Sequence, residues 1–154
     1  MNIYEHFDKL TDNWRGKNSL YLSWIENSPF VSESNASVAF SAQGKFLKIE
    51  YDWIYEGKKQ DGLILLGTDT KSVLIKAFWI DSWHMSDKLL ISEGIKEADE
   101  SVNLKGFYQV PDHPDWGWRT VIESENETLF KITMYNVTPE GTEDLAVEAI
   151  YERR

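Results

Sequence analysis

The sequence predicts an all-β chain: an up-and-down antiparallel β-barrel of about ten strands, with a short N-terminal helix capping one end. Three observations carry this. Between Gly44 and Asp69, residues Leu47, Ile49, Tyr51, Trp53 and Tyr55 alternate with Lys48, Glu50 and Asp52, turn at Gly57-Lys58 and return through Gly62-Leu63-Ile64-Leu65-Leu66. This is the period-2 signature of half-buried strands. Similar runs follow at spacings of about 8–12 residues with turn signals between them, as in antiparallel sandwiches and barrels. Long, aromatic-lined strands in simple succession favour the barrel.

The 154 residues make one domain's length, with 42 % hydrophobic and 14 % aromatic residues, seven of them tryptophan, enough for a core without staples. There is no cysteine, which excludes disulfides, thiolate metal sites and a cysteine nucleophile. Sixteen Lys and Arg against 26 Asp and Glu leave a net charge of −10. That field repels phosphate backbones and anionic headgroups, so neither nucleic acid nor a membrane is an expected partner. The start, MNIYEHFDKL, lacks the basic and apolar regions of a signal peptide, and a cytoplasmic location is the default expectation.

Taken in order, Ile3, Tyr4, Phe7 and Leu10 fall at helical spacing and predict a helix over 3–12. Strands are expected at about 17–27, 34–42, 46–56, 60–68, 73–83, 88–96, 101–109, 116–125, 128–138 and 142–153. A turn at Gln43-Gly44 places Phe40 opposite Leu47, Val38 opposite Ile49 and Ala36 opposite Tyr51. One at Gly57-Lys58 puts Trp53 opposite Gly62, a glycine making room for the indole. One at Thr70-Lys71 sets Val73, Ile75, Ala77, Trp79 and Asp81 on the same inner face. The three turns agree on one interior, and a one-residue slip would break that agreement. Tight turns then gather at one end and longer loops at the other, a mouth flanked by Trp83, His84 and Trp116. Trp14 and Arg153 meet at the tight end, where the guanidinium stacks on the indole.

Trp14-Arg15-Gly16, Gly44-Lys45-Phe46-Leu47 to Tyr51, Leu66-Gly67-Thr68-Asp69, Ile80-Asp81-Ser82, Ser92-Glu93-Gly94 and Tyr151-Glu152-Arg153 together resemble the bacterial domain-of-unknown-function 1579 family. The similarity runs from about Trp14 to Arg153. It implies a lipocalin-like (calycin) barrel around a central cavity and the same tryptophan–arginine closure. The family brings no established activity, so no functional residue follows from it.

The candidate chemistry lies on the inner face. A turn at Asn126-Glu127 pairs Arg119 with Met134 and Val121 with Ile132, and one at Pro139 to Gly141 pairs Ile132 with Glu148. Since Phe130, Ile132 and Met134 are the apolar face, Arg119, Glu123 and Glu148 are expected inward with them. A buried Arg119 then pairs with a carboxylate of the chain or with an acidic ligand. Asp81, beside Trp83 and His84, is expected inward in an aromatic setting that raises its pKa, or tied to loop backbone. The three histidines stand at no metal-binding spacing, and no metal or cofactor is expected. A histidine-ligated haem would need a loop to fold inward. The aromatics Tyr51, Trp53, Tyr55, Trp79, Trp116 and Trp118 fill the core or line a site. Leu74, Phe78, Ile80, Leu89 and Ile91 are left outside, an apolar patch that predicts a homodimer.

The reading that follows is a barrel binding a small apolar or amphipathic molecule, with Tyr51, Trp53, Tyr55, Trp79, Asp81, Arg119, Met134 and Glu148 lining the cavity. Two alternatives remain: an enzyme using Asp81 or Glu148 as its acid–base group, and a structural or interaction subunit whose barrel is filled.

Overall fold

The computed structural model describes residues 3–68, 71 and 73–154, of residues 3 and 4 the backbone alone. One helix, α1 (Ile3–Asp8), precedes ten strands: β1 (Asp12–Leu20), β2 (Phe30–Ser41), β3 (Phe46–Tyr55), β4 (Lys58–Thr68), β5 (Ile75–Asp81), β6 (Leu90–Lys96), β7 (Val102–Val110), β8 (His113–Asn126), β9 (Leu129–Val137) and β10 (Glu143–Arg153). Each pairs antiparallel with its sequence neighbour and β1 pairs with β10, closing the barrel. Thr70 of the expected turn and the side chains of Ile3 and Tyr4 lie outside the described residues. Among the described residues no helix is long and apolar enough to cross a membrane.

The helix ends at Asp8 instead of continuing to residue 12, because β1 begins at Asp12, earlier than expected. Trp14 pairs with Ala36 on one side and Arg153 on the other, so the segment after α1 is claimed by two ladders. β1 ends at Leu20, and residues 21–29 form a mouth loop. The connections after β2, β4, β6 and β8 lie at one end with α1. Those after β1, β3, β5, β7 and β9 lie at the other. Phe7, Leu10 and Trp14, each 1 % exposed or less, seal the helix end.

Across β2 and β3 the pairs are Phe40–Leu47, Val38–Ile49 and Ala36–Tyr51, as the alternation predicts. The next hairpin turns at Glu56-Gly57, both at positive φ, 50° and 74°. That moves the pairing by two residues, so Tyr51, not Trp53, lies opposite Gly62. A shift of two keeps every side chain on its face, and Leu47, Ile49, Trp53, Ile64, Leu66, Ile75 and Trp79 are all buried. Val73 precedes β5 and is 86 % exposed, outside the interior expected for it.

The pairings among the last three strands differ from expectation by one residue, so β9 keeps its expected face while those of β8 and β10 reverse. The ladder between β8 and β9 shifts between Ser124 and Asn126, and that between β9 and β10 between Leu145 and Val147. Each irregularity inserts one unpaired residue, as a β-bulge does. Beyond them Thr120 faces Met134, Ile122 faces Ile132 and Ala149 faces Ile132, so Trp118, Thr120, Ile122, Val147, Ala149 and Tyr151 point inward. Arg119, Glu123 and Glu148, expected inside, stand on the outer face. On the opposite side of the barrel Ile80, Leu89 and Ile91 remain outside, 40 %, 55 % and 62 % exposed.

Candidate functional site

Asp81 ends β5, and its carboxylate is the centre of the polar groups inside the barrel. Tyr51, Gly62 and Asp81 form one row across β3, β4 and β5. A Cβ on Gly62 would lie 2.3 Å from the Tyr51 hydroxyl, so the phenol passes directly over the glycine. It thereby donates to Asp81 Oδ2 at 2.6 Å, with Trp53 Nε1 3.3 Å from the same oxygen. Trp79 Nε1 donates to the Tyr51 hydroxyl at 2.7 Å. Asp81 Oδ1 accepts the backbone N–H groups of Trp83 and His84 at 2.9 and 3.0 Å, which turns the chain inward after the strand.

Burial pushes the Asp81 carboxyl up, but the His84 imidazole, the Tyr51 hydroxyl and the His84 backbone N–H together hold it below its ordinary value. The raised value expected of a general acid is therefore not found. Burial, followed by the adjacent carboxylate, pushes the Tyr51 hydroxyl well up, so it remains a donor.

The inward turn places His84 in the barrel mouth, its side chain 10 % exposed. Four indoles surround it, with centroids 4.9 Å (Trp83), 5.4 Å (Trp79), 5.5 Å (Trp53) and 5.7 Å (Trp118) from the imidazole. Trp79 and Trp118 meet across the interior from strands three places apart and stack at 5.1 Å and 15°. Tyr55 contacts Trp83 at 5.3 Å and Phe30 at 5.7 Å, at the outer rim. Trp116, at the start of β8, is half-buried. His84 Nδ1 pairs with Asp81 Oδ1 at 3.1 Å, while Nε2 has no hydrogen-bond partner. Trp118 Nε1 and Asn18 Nδ2 are likewise buried without partners.

Below His84 lies a void of about 10 Å³ bordered by Asn18, Trp53, Asp81, Met134 and Tyr151. That is room for about one water molecule. The loop does fold a histidine inward, as a haem ligand would require, yet four indoles surround the imidazole. A macrocycle does not fit beside it.

At the opposite end the Arg153 guanidinium lies 4.5 Å from the Trp14 ring. It is held there by Asp12 at 2.7 Å and by the Glu127 carbonyl at 2.8 Å, while Trp14 Nε1 donates to the Leu10 carbonyl at 2.9 Å.

Arg119 and Glu148 do not reach the interior, because the two bulges turn them out. Both border an outer groove of about 580 Å³. Arg119 instead binds Glu143 through Nε at 2.5 Å and Nη2 at 3.1 Å, over the Tyr135 ring at 4.3 Å. As a half-exposed pair it contributes about 1 kcal/mol or less. Arg119→Leu is accordingly expected to lower stability by no more than that in urea unfolding, and to leave any binding at the mouth unchanged. Trp118, expected only as one of the core-filling or site-lining aromatics, and Asn18, which nothing in the sequence marks, take the inward positions. The direction of Trp118 depends on the bulge in β8, and that of Asn18 on a first strand that begins at Asp12.

The model of a family described as "Protein of unknown function (DUF1579)" matches residues 3–153. The chain belongs to this family. Among curated proteins none matches it significantly. Among solved structures it is similar to "Crystal Structure of Rv2717c from M. tuberculosis", with a TM-score of 0.68 and 12 % identity over 100 % of this chain and 98 % of that one. It is also similar to "Structure of S-type Phycobiliprotein Lyase CPES from Guillardia theta", with a TM-score of 0.57 and 16 % identity over 100 % of this chain and 93 % of that one. At these identities the likeness is one of fold. DUF1579 membership and the barrel thus agree, and neither assigns an activity.

Proposed function

We propose that this DUF1579 protein binds a small, flat, largely apolar molecule at the barrel mouth, in the space that His84 and Trp83 now fill. The observation that carries this reading is the set of three unpartnered polar atoms at and below the aromatic enclosure: His84 Nε2, Trp118 Nε1 and Asn18 Nδ2. Leaving a buried donor or acceptor unpaired costs about 1–3 kcal/mol, and a barrel selected only for stability would carry few of them. A bound molecule with acceptor atoms would satisfy the Trp118 and Asn18 N–H groups, and the displaced imidazole would meet water.

The route in is the loop 82–89. β5 pairs with β6 only over Ile75–Trp79, so Ile80 and Asp81 have no partner on that side, and the ladder is already parted where the loop leaves. The mouth-end Trp83 and His84 can swing out without breaking a strand pair.

A second reading rests on the 10 Å³ void: a barrel filled by its own side chains, acting through its surface. Native mass spectrometry of the purified protein, with organic extraction of the same sample, separates the two. The binding reading expects an adduct of small-molecule mass that extraction releases. Bare protein mass, together with loop 82–89 amides as slow to exchange as those of β3, would establish the filled barrel instead.

A further inference from the structure

The enclosure has a charge character that narrows its ligand. Asp81 is the one buried carboxylate among the described residues, and no Lys or Arg is buried there with it. Its partners, apart from the His84 imidazole, are neutral donors: a phenol, an indole and two backbone amides. Arg119, the cation expected inside, is on the outer face. A buried carboxylate without a fixed counter-charge, beside four indole rings, is an environment that attracts positive charge. Each indole attracts a cation lying within about 6 Å of its centroid, more strongly where water is excluded.

The imidazole of His84 lies within that distance of all four rings and 3.1 Å from the carboxylate. It enters on a loop, not on a strand, held only by the Asp81 carboxylate, and its Nε2 makes no hydrogen bond. It occupies the enclosure as a flat heteroaromatic ligand would, tethered to the chain by the loop. The unpaired N–H groups of Trp118, whose ring lies 5.7 Å from the imidazole, and of Asn18, which borders the same void, call for an acceptor that His84 does not supply.

We propose that the ring of Trp53, Trp79 and Trp118 over Asp81 is a receptor for a small heteroaromatic cation carrying an acceptor atom, with His84 as its built-in competitor and Trp83 leaving with it. This rests on the binding reading above and gives it a ligand class: an imidazolium-like head, not a fatty acid or other anion. Loop 82–89 withdraws His84 when the free cation takes its place. The net charge of −10 favours approach of such a ligand and opposes an anionic one.

The test removes the competitor. His84→Gly, or His84→Ala should the glycine variant not fold, is titrated with imidazole, with its neutral isostere pyrrole and with acetate, following tryptophan fluorescence and Tm. Imidazole is expected to bind about tenfold tighter than pyrrole and about tenfold tighter at pH 6, where it is protonated, than at pH 8. Acetate is expected not to bind. The preference should vanish when Asp81→Asn is added, and His84→Leu, which refills the enclosure, should bind none of the three. Pyrrole binding as well as imidazole, or acetate binding at all, overturns the cation class and leaves mouth binding standing. Equal imidazole affinity in the Leu and Gly variants also overturns it. If no probe changes the fluorescence or Tm of a His84 variant with wild-type circular dichroism, the cation class and the binding reading fall together.

Discussion

Gly16→Ala is expected to leave the chain unable to close its barrel. Gly16 lies in β1 opposite Tyr151, at the seam between the first and last strands. A Cβ there would lie 1.8 Å from the Ile150 carbonyl oxygen and 2.9 Å from the Tyr151 Cα. Both are backbone atoms of the partner strand, so no rotamer change relieves the contact. The strand must move away, and the ladder from Trp14 to Leu20 moves with it. Gly94 shows the same crowding, 1.7 Å from the Asn103 carbonyl, on β6. β1 and β6 stand five places apart in the ring of ten, so the sheet bends sharply at two opposite positions, each on a glycine. Overpacking ordinarily costs about 1–3 kcal/mol where side chains yield. Here the expected cost exceeds that range, and the checks are soluble yield and the urea midpoint. A variant with the wild-type midpoint would show that the seam is not the tight closure described.

Trp14→Ala is expected to cost about 3–5 kcal/mol, the range for removing a large aromatic from a core. Trp14 is 0 % exposed, its ring meets Phe130 edge-on at 4.8 Å, and its Nε1 anchors the Leu10 carbonyl at the end of the helical cap. The substitution therefore empties the closed end and frees the cap at once. At about 2–4 °C per kcal/mol for a chain of this size, Tm should fall by about 6–20 °C in a calorimetric scan. Arg153→Ala should cost less, because the guanidinium is only half-buried and its cation–π contact is worth about 0.5–2 kcal/mol. A larger loss for Arg153 than for Trp14 would reverse this account of the closed end.

The two halves of the barrel were unequally legible, for a physical reason. Tyr51, Trp53, Trp79 and Asp81 are placed inward by alternation alone, because an error of two residues in a hairpin leaves faces unchanged. Even the wrong partner for Gly62 kept the right interior. Arg119 and Glu148 were misplaced because a bulge adds one residue, and an error of one exchanges the faces. Nothing in Glu125 or Ala146 marks a bulge in the linear chain. His84 illustrates a different limit. Its inward turn depends on two backbone N–H bonds to Asp81 and on four indoles from separate elements, two of them, Trp53 and Trp118, distant in sequence.

By itself, then, the sequence determined the all-β class, the ten strands, the gathering of tight turns at one end, and the meeting of Trp14 with Arg153. These follow from period-2 alternation, turn residues and strand order, which are local properties of the chain. Only the tertiary structure decided that the interior is nearly filled, that the one buried carboxylate among the described residues lacks a fixed cation, and that His84 occupies the mouth. Those depend on two single-residue bulges and on packing across the barrel, where the sign of a residue's direction is set by partners far away in sequence.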